Sequence, residues 1–160
     1  MTVAIRPAIP ADVPVILRFV RDLAAFEREP DAVAATAADL EDALFGNRPA
    51  AEAVIADDGG EPLGFALFFH SFSTWTGRRG LYLEDLYVAP AARGLGVGTA
   101  LLRHLAGIAL DRRCGRFEWS VLDWNADAIA FYRAMGAVGM DGWTVQRVDG
   151  AALERLAGRR

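Results

Sequence analysis

A strand that breaks into glycines and then into an amphipathic helix, far from either end of the chain, constrains this sequence more than any other feature. Leu81-Tyr82-Leu83-Glu84-Asp85-Leu86-Tyr87-Val88 reads as the strand. Arg93-Gly94-Leu95-Gly96-Val97-Gly98-Thr99 follows, and Leu101, Leu102, Leu105, Ile108 and Ala109 then line one face of a helix. A strand that turns through glycines into a helix N-terminus presents unpaired backbone N–H groups and a positive dipole end. With no side chain in the way, a pyrophosphate can approach the main chain there. Arg93 adds a fixed positive charge at the rim. Taken alone, the stretch also has a blander reading, as a turn that merely starts a helix.

Spelling separates the phosphate loops this could be. A Walker A loop needs Gly-Lys followed by Ser or Thr, and the chain has no lysine, all 17 of its basic residues being arginine. A dinucleotide fingerprint needs G-x-G-x-x-G, but Gly98 falls one place early and Thr99 holds the required position. What remains, Arg-Gly-x-Gly-x-Gly-Thr, resembles the coenzyme A pyrophosphate loop, R/Q-x-x-G-x-G/A, of the GCN5-related N-acetyltransferase (GNAT) superfamily.

The order of elements agrees. Val3–Arg6 reads as a strand, and Pro10-Ala11-Asp12 opens a helix with Val13, Ile16, Val20 and Leu23 on one face. Thr36, three residues before Asp39, reads as the N-cap of a second helix running to about Phe45. Glu52–Ala56 and Leu63–His70 form a hairpin about Asp57-Asp58-Gly59-Gly60. After the glycine loop and its helix come a strand over Arg116–Leu122 and a helix over Asn125–Met135. Val138–Met140 and Trp143–Val148 are read as a closing hairpin, with a small helix after Gly150. The order β-αα-βββ-α-β-α-ββ departs from strict βα alternation. It is the order of the GNAT fold, an α/β (α+β) mixed sheet with splayed central strands, in a single domain over residues 1–160.

Composition narrows the class. At 53% hydrophobic and 24% charged, the 160 residues suit one core, and the apolar runs fall short of the ~20 residues a membrane helix needs. The N-terminus lacks the pattern of a signal peptide, and the lone Cys114 permits no internal disulfide, so a cytoplasmic location is expected. A net charge of −4 argues against nucleic acid and is compatible with cationic ligands. His70, His104 and Cys114 have no metal-ligand spacing, so no metal is expected. Cys114 reads as a structural or surface thiol, because no motif pairs it with a histidine base.

Ordered blocks extend the likeness along nearly the whole chain. They are Phe72-Ser73-Thr74-Trp75-Thr76-Gly77, the strand Leu81–Val88, the glycine loop, Leu122-Asp123-Trp124-Asn125, Phe131-Tyr132 and Met140-Asp141-Gly142-Trp143. Together they resemble the diamine (spermidine/spermine and thialysine) N-acetyltransferases. The resemblance implies transfer of an acetyl group from acetyl-CoA to a primary amine of a small di- or polyamine or lysine-like acceptor. It makes Glu84 a water-linked base that also faces the amine, and Tyr132 the acid over the departing sulfur. It gives cofactor contacts to Leu86, Tyr87, Val88, Arg93, Gly94, Leu95, Gly96, Val97, Gly98, Thr99, Asn125, Ala128 and Phe131. A bulge at Leu86-Tyr87-Val88 is expected to free backbone groups for the pantetheine. Phe26, Glu27, Trp75, Glu118, Trp119, Ser120 and Asp141 fall on the acceptor side. The family is usually dimeric, and the closing hairpin with Trp143 and Val145 offers a seam. One departure matters: relatives carry a longer acidic segment where this chain has only Met140-Asp141.

The residues leave alternatives beside these roles. Glu84 and Asp85 are adjacent on a strand, so they are expected on opposite faces, with only one toward substrate. Glu84 also fits a structural ion pair, Tyr132 a core aromatic, Asn125 a helix N-cap and Glu27 a solvated helix end. Acceptors such as an aminoglycoside, an amino acid or a protein N-terminus stay open, as does a non-catalytic acyl-CoA sensor.

Overall fold

The structure is a computed structural model and describes residues 1–159. Its elements are β1 (Ala4–Pro7), α1 (Val13–Phe26), α2 (Ala37–Phe45), β2 (Glu52–Asp58), β3 (Glu61–Ser73), β4 (Arg78–Val88), α3 (Val97–Asp111), β5 (Arg116–Trp119), α4 (Ala126–Ala134) and α5 (Gly150–Leu156). The chain divides into two compact units, one from Met1 to Leu122 and one from Asp123 onward.

The first unit is built on a five-stranded sheet in the order β1-β2-β3-β4-β5, antiparallel except for the parallel pair β4/β5. Ile16 and Phe19 of α1 and Leu44 of α2 bury themselves on one face against Ile55, Phe65, Leu67 and Tyr87. The residues between, such as Ala66 and Phe68, face the other way, because a strand alternates its sides. There α3 buries Leu101, Leu102, Leu105 and Ala109, and its Arg112 guanidinium lies 5.9 Å from the Phe68 ring. The start of α1 is held by charge. Asp12 takes two bonds from the Arg6 guanidinium (2.7 and 2.9 Å) and one from the Ile9 N–H (2.8 Å), while Arg6 Nε reaches Asp57 at 2.9 Å. The Arg6 bonds hold the Asp12 carboxyl below its ordinary range. The expected cap of α2 is present: Thr36 and Asp39 each accept the other's backbone N–H.

Two expectations are corrected. The strand after α3 ends at Trp119 rather than Leu122. The closing hairpin over Val138–Met140 and Trp143–Val148 does not form; the segment carries no strand. A two-stranded ribbon with neither a neighbouring sheet edge nor a cover over its apolar face is marginal in water. Here Val138 and Val145 stand 78% and 83% exposed. The second unit thus consists of α4, α5 and the irregular chain around them.

Candidate active site

Most of the residues expected on the cofactor side lie at the end of β4 and the start of α3. β4 pairs with β5 only from Gly80–Arg116 to Leu83–Trp119, so from Glu84 to Val88 its outer edge has no strand beside it among the described residues. On the inner edge Leu86, Tyr87 and Val88 stay paired with Ala66, Phe65 and Gly64. The Ala89 N–H bonds the Leu63 carbonyl at 2.8 Å. By the alternation of an antiparallel ladder, Leu86 and Val88 therefore turn their N–H and C=O groups to the open edge. Gly64 lets the two backbones meet closely, since a Cβ there would lie 2.4 Å from the Tyr87 carbonyl oxygen.

The glycine loop has the form expected of an anion cradle. Gly96 caps α3 in the left-handed region (φ 83°) without any side-chain cap, and a Cβ at that position would touch nothing within 4 Å. The Ala100 N–H makes the first helical bond, to Gly96 O at 3.0 Å. The N–H groups of Val97, Gly98 and Thr99 are thus the unpaired donors of a helix start, with Gly94 and Leu95 exposed before them. Backbone donors without a competing cap suit the pyrophosphate of a coenzyme A. Arg93 behaves differently from a free rim charge: its Nε–H donates to the Val88 carbonyl at 3.1 Å. Its guanidinium lies 5.4 Å from the Phe26 ring and 5.7 Å from the Tyr87 ring.

The acceptor side turns on a bulge that the sequence reading placed two residues too late. Leu67 pairs with Asp85 while Phe68 pairs with Leu83, leaving Glu84 as an extra residue in β4. Leu83 consequently shares the α3 face with Phe68, whereas Asp85 and Tyr87 share the α1 face with Leu67. The expectation that Glu84 and Asp85 point to opposite faces fails for this reason. The charges of Glu84 and Glu27 both act on Asp85, and that of Glu84 acts on Glu27. Burial, then Glu84 and then Glu27 push the Asp85 carboxyl up to about 6. Burial and then Glu84 raise that of Glu27. Asp85 is the residue that the sequence undervalued, since nothing in the spelling Leu83-Glu84-Asp85-Leu86 announces a bulge.

The other expected residues divide. Glu118 and Trp119 pair with Tyr82 and Leu83, level with the bulge, and Ser120 Oγ bonds the Tyr82 hydroxyl at 2.9 Å. Trp75 is not brought to the carboxylates: it sits 80% exposed in the turn between β3 and β4. The strand from Arg78 to Asp85 puts roughly 20 Å between them. Tyr132, Asn125, Ala128, Phe131 and Asp141 lie in the second unit. There Asn125 Oδ1 accepts the Ala128 N–H at 3.2 Å, so Asn125 does N-cap α4. The Tyr132 ring lies 5.5 Å from that of Phe131, both half-buried, and Asp141 is exposed in a turn. Cys114 is half-buried after α3. Among the described residues no group of three or more His, Cys, Asp or Glu side chains could hold a metal, and no helix is long and apolar enough to cross a membrane.

Comparison with known proteins adds to this geometry. The family described as acetyltransferase (GNAT) family matches residues 17–137, a span that crosses from one unit into the other. The chain is 38% identical to the thialysine N-epsilon-acetyltransferase of Sus scrofa, with 99% of each chain covered. It is 37% identical to the spermidine/spermine N(1)-acetyltransferase-like protein 1 of Homo sapiens over 96% of this chain and 23% of that one. Among solved structures, an integron cassette protein from the mobile metagenome of V. cholerae superposes with a TM-score of 0.81, at 28% identity and 98% coverage of both chains. The open strand edge leads into an uncapped, glycine-lined helix start, which leaves main-chain donors available to an anion. The chain belongs to the GNAT acetyltransferase family and is an acetyl-CoA-dependent N-acetyltransferase, similar in sequence to the diamine subfamily.

Proposed function

We propose that this enzyme acetylates a primary amine of a small di- or polyamine or lysine-like acceptor, with Glu84 as base and Tyr132 as acid. The observation that carries the reading is the bulge at Glu84, which gathers Glu84, Asp85 and Glu27 on the α1 side of the open β4 edge. Acetyl-CoA supplies the thioester. The amides of Val97, Gly98 and Thr99, with the turn Gly94-Leu95-Gly96, hold its pyrophosphate, and the Leu86 and Val88 backbone groups hold the pantetheine and polarise the carbonyl. The resemblance to the family also gives Asn125, Ala128 and Phe131 to the cofactor. A protonated amine has no lone pair for attack, so Glu84 removes its proton through an ordered water. Tyr132 then donates a proton to the departing sulfur. No covalent enzyme intermediate is required.

An acceptor with a second ammonium gains from carboxylates beside the reacting one. Asp85 and Glu27 supply them, with Phe26 and Trp119 as apolar walls for methylenes and Glu118, Ser120 and Asp141 at the margin. Three carboxylates held together, one of them pushed up to about 6, favour a ligand that brings more than one positive charge. The whole of residues 1–160 is read as one catalytic domain in the cytoplasm, without nucleic-acid or membrane partners. The exposed apolar side chains Val138 and Val145 support a homodimer in which a second copy covers this segment. Trp75, too distant from the carboxylates of its own chain, then serves those of the partner copy.

A thiol-release assay tests the reading with putrescine, spermidine, thialysine, kanamycin and n-butylamine. A preference in kcat/KM of about tenfold or more for the diamines over n-butylamine is expected from one added ion pair. Equal values for n-butylamine and putrescine would remove the acceptor assignment.

A further inference from the structure

We infer that Arg93 is a positioning residue that ties the C-terminal end of α1 to the open edge of β4, so that cofactor grip and acceptor pocket depend on one side chain. The inference rests on the cofactor and acceptor sides assigned above. Three observations on a single guanidinium carry it. Its Nε–H is committed to the Val88 carbonyl at 3.1 Å, on the strand edge that the pantetheine would use. Its Cζ lies 5.7 Å from the ring centroid of Tyr87, a side chain only 5% exposed and set in the core with its ring 5.3 Å from that of Phe19. It also lies 5.4 Å from the ring of Phe26, the last residue of α1.

The two rings differ in how firmly they are held. Tyr87 is anchored by the core, whereas Phe26 is 47% exposed and the helix ends immediately beyond it. Arg28 lies in the left-handed region (φ 66°), so the chain turns away within two residues. Glu27, between these points, is the carboxylate whose charge reaches Asp85. Arg93 thus joins an anchored ring and a strand carbonyl to the exposed C-terminal end of α1. Moving Phe26 moves Glu27; releasing the Val88 carbonyl alters the edge offered to the cofactor.

An arginine is needed for this geometry. A guanidinium can lay its face along rings while an edge N–H donates in plane; a lysine ammonium has no plane and no Nε–H on its stem. A charge serving only to attract phosphate would be replaced well by lysine. The two roles therefore predict opposite outcomes for one substitution.

The test measures desulfo-coenzyme A affinity by calorimetry for the wild type, Arg93→Ala, Arg93→Lys, Phe26→Leu, Phe26→Tyr and the double variant Arg93→Ala/Phe26→Leu. Arg93→Lys is expected to lose about as much affinity as Arg93→Ala, roughly tenfold, the loss of one charged hydrogen bond with its ring stacking. Phe26→Leu weakens binding several-fold although it lies on the acceptor side, Phe26→Tyr keeps wild-type affinity, and the double variant binds no worse than Arg93→Ala. Arg93→Ala, Arg93→Lys and Phe26→Leu also raise the acceptor KM more than they lower kcat, whereas Phe26→Tyr does not. Because both side chains are exposed, melting temperatures should change by no more than about 3 °C. Full affinity in Arg93→Lys, or losses that multiply in the double variant, would overturn the inference. A wild type that does not bind desulfo-coenzyme A would overturn the cofactor assignment itself, and the inference with it.

Discussion

The proposed cofactor side and the proposed acceptor side of this enzyme are specified in different ways. The former is a continuous run, Leu86 to Thr99, whose functional groups are main-chain amides and whose side chains are mostly absent or directed elsewhere. The latter is drawn from α1, from a bulge in β4 and from the end of β5, and its functional groups are carboxylates that disturb one another. Backbone donors keep their polarity whatever surrounds them. A carboxylate's charge state depends on its neighbours, so the acceptor side has no defined chemistry until the fold brings it together.

Substitutions can break or sharpen that contrast. The largest effect is expected at the chemistry itself: Glu84→Gln should lower kcat by about 10²- to 10³-fold, the usual worth of a general base, with the loss greatest at low pH where the amine stays protonated. Tyr132→Phe should also reduce kcat while leaving acetyl-CoA affinity near wild type. A Glu84→Gln enzyme with an unchanged pH–rate profile would take the base elsewhere.

Next comes Gly96→Val, which forces a β-branched residue into the left-handed region at φ 83°. The strain, about 1–2 kcal/mol, should appear as roughly tenfold weaker desulfo-coenzyme A binding with little change in acceptor KM. If both sides suffer equally, the distinction between them fails at the loop.

A third variant addresses the acceptor side. With a carboxyl pushed up to about 6 in the fold from a reference of 3.8, Asp85 favours the folded state as the neutral acid. Its contribution is fully present below about pH 4 and is lost as pH rises through 6. Binding of a cationic acceptor wants the opposite, the carboxylate. The wild-type acceptor KM should therefore rise about tenfold between pH 7 and pH 5, beyond any change in acetyl-CoA KM. Asp85→Asn should flatten that dependence and raise the melting temperature above pH 6. A persistent pH dependence in Asp85→Asn would assign the titration to Glu27.

The smallest expected effect is at Trp75, whose replacement by Ala should raise acceptor KM a few-fold if a partner copy presents it, the worth of one stacking contact. Sedimentation of the same variant would report whether the homodimer persists. No change in either measurement would leave Trp75 outside the site.

Much of the fold was legible because its signals are local. The apolar spacing of Val13, Ile16, Val20 and Leu23 determined α1, Thr36 with Asp39 determined where α2 starts, and Gly96 determined the entry to α3. The closing hairpin was misread for the opposite reason. Trp143–Val148 has strand composition, but composition does not supply the pairing partner that a strand needs, and residues 138–148 carry no strand.

The sequence by itself determined the family, the order of the elements through α4 and the glycine-lined start of α3, because each rests on residues adjacent in the chain. The tertiary structure alone decided that Glu84 is the bulged residue, that Asp85 joins Glu27 on the α1 side, and that Arg93 reaches the Val88 carbonyl and the Phe26 ring. Strand register and the electric field at a buried carboxyl depend on groups distant in sequence, and those are set only when the sheet and its helices have packed.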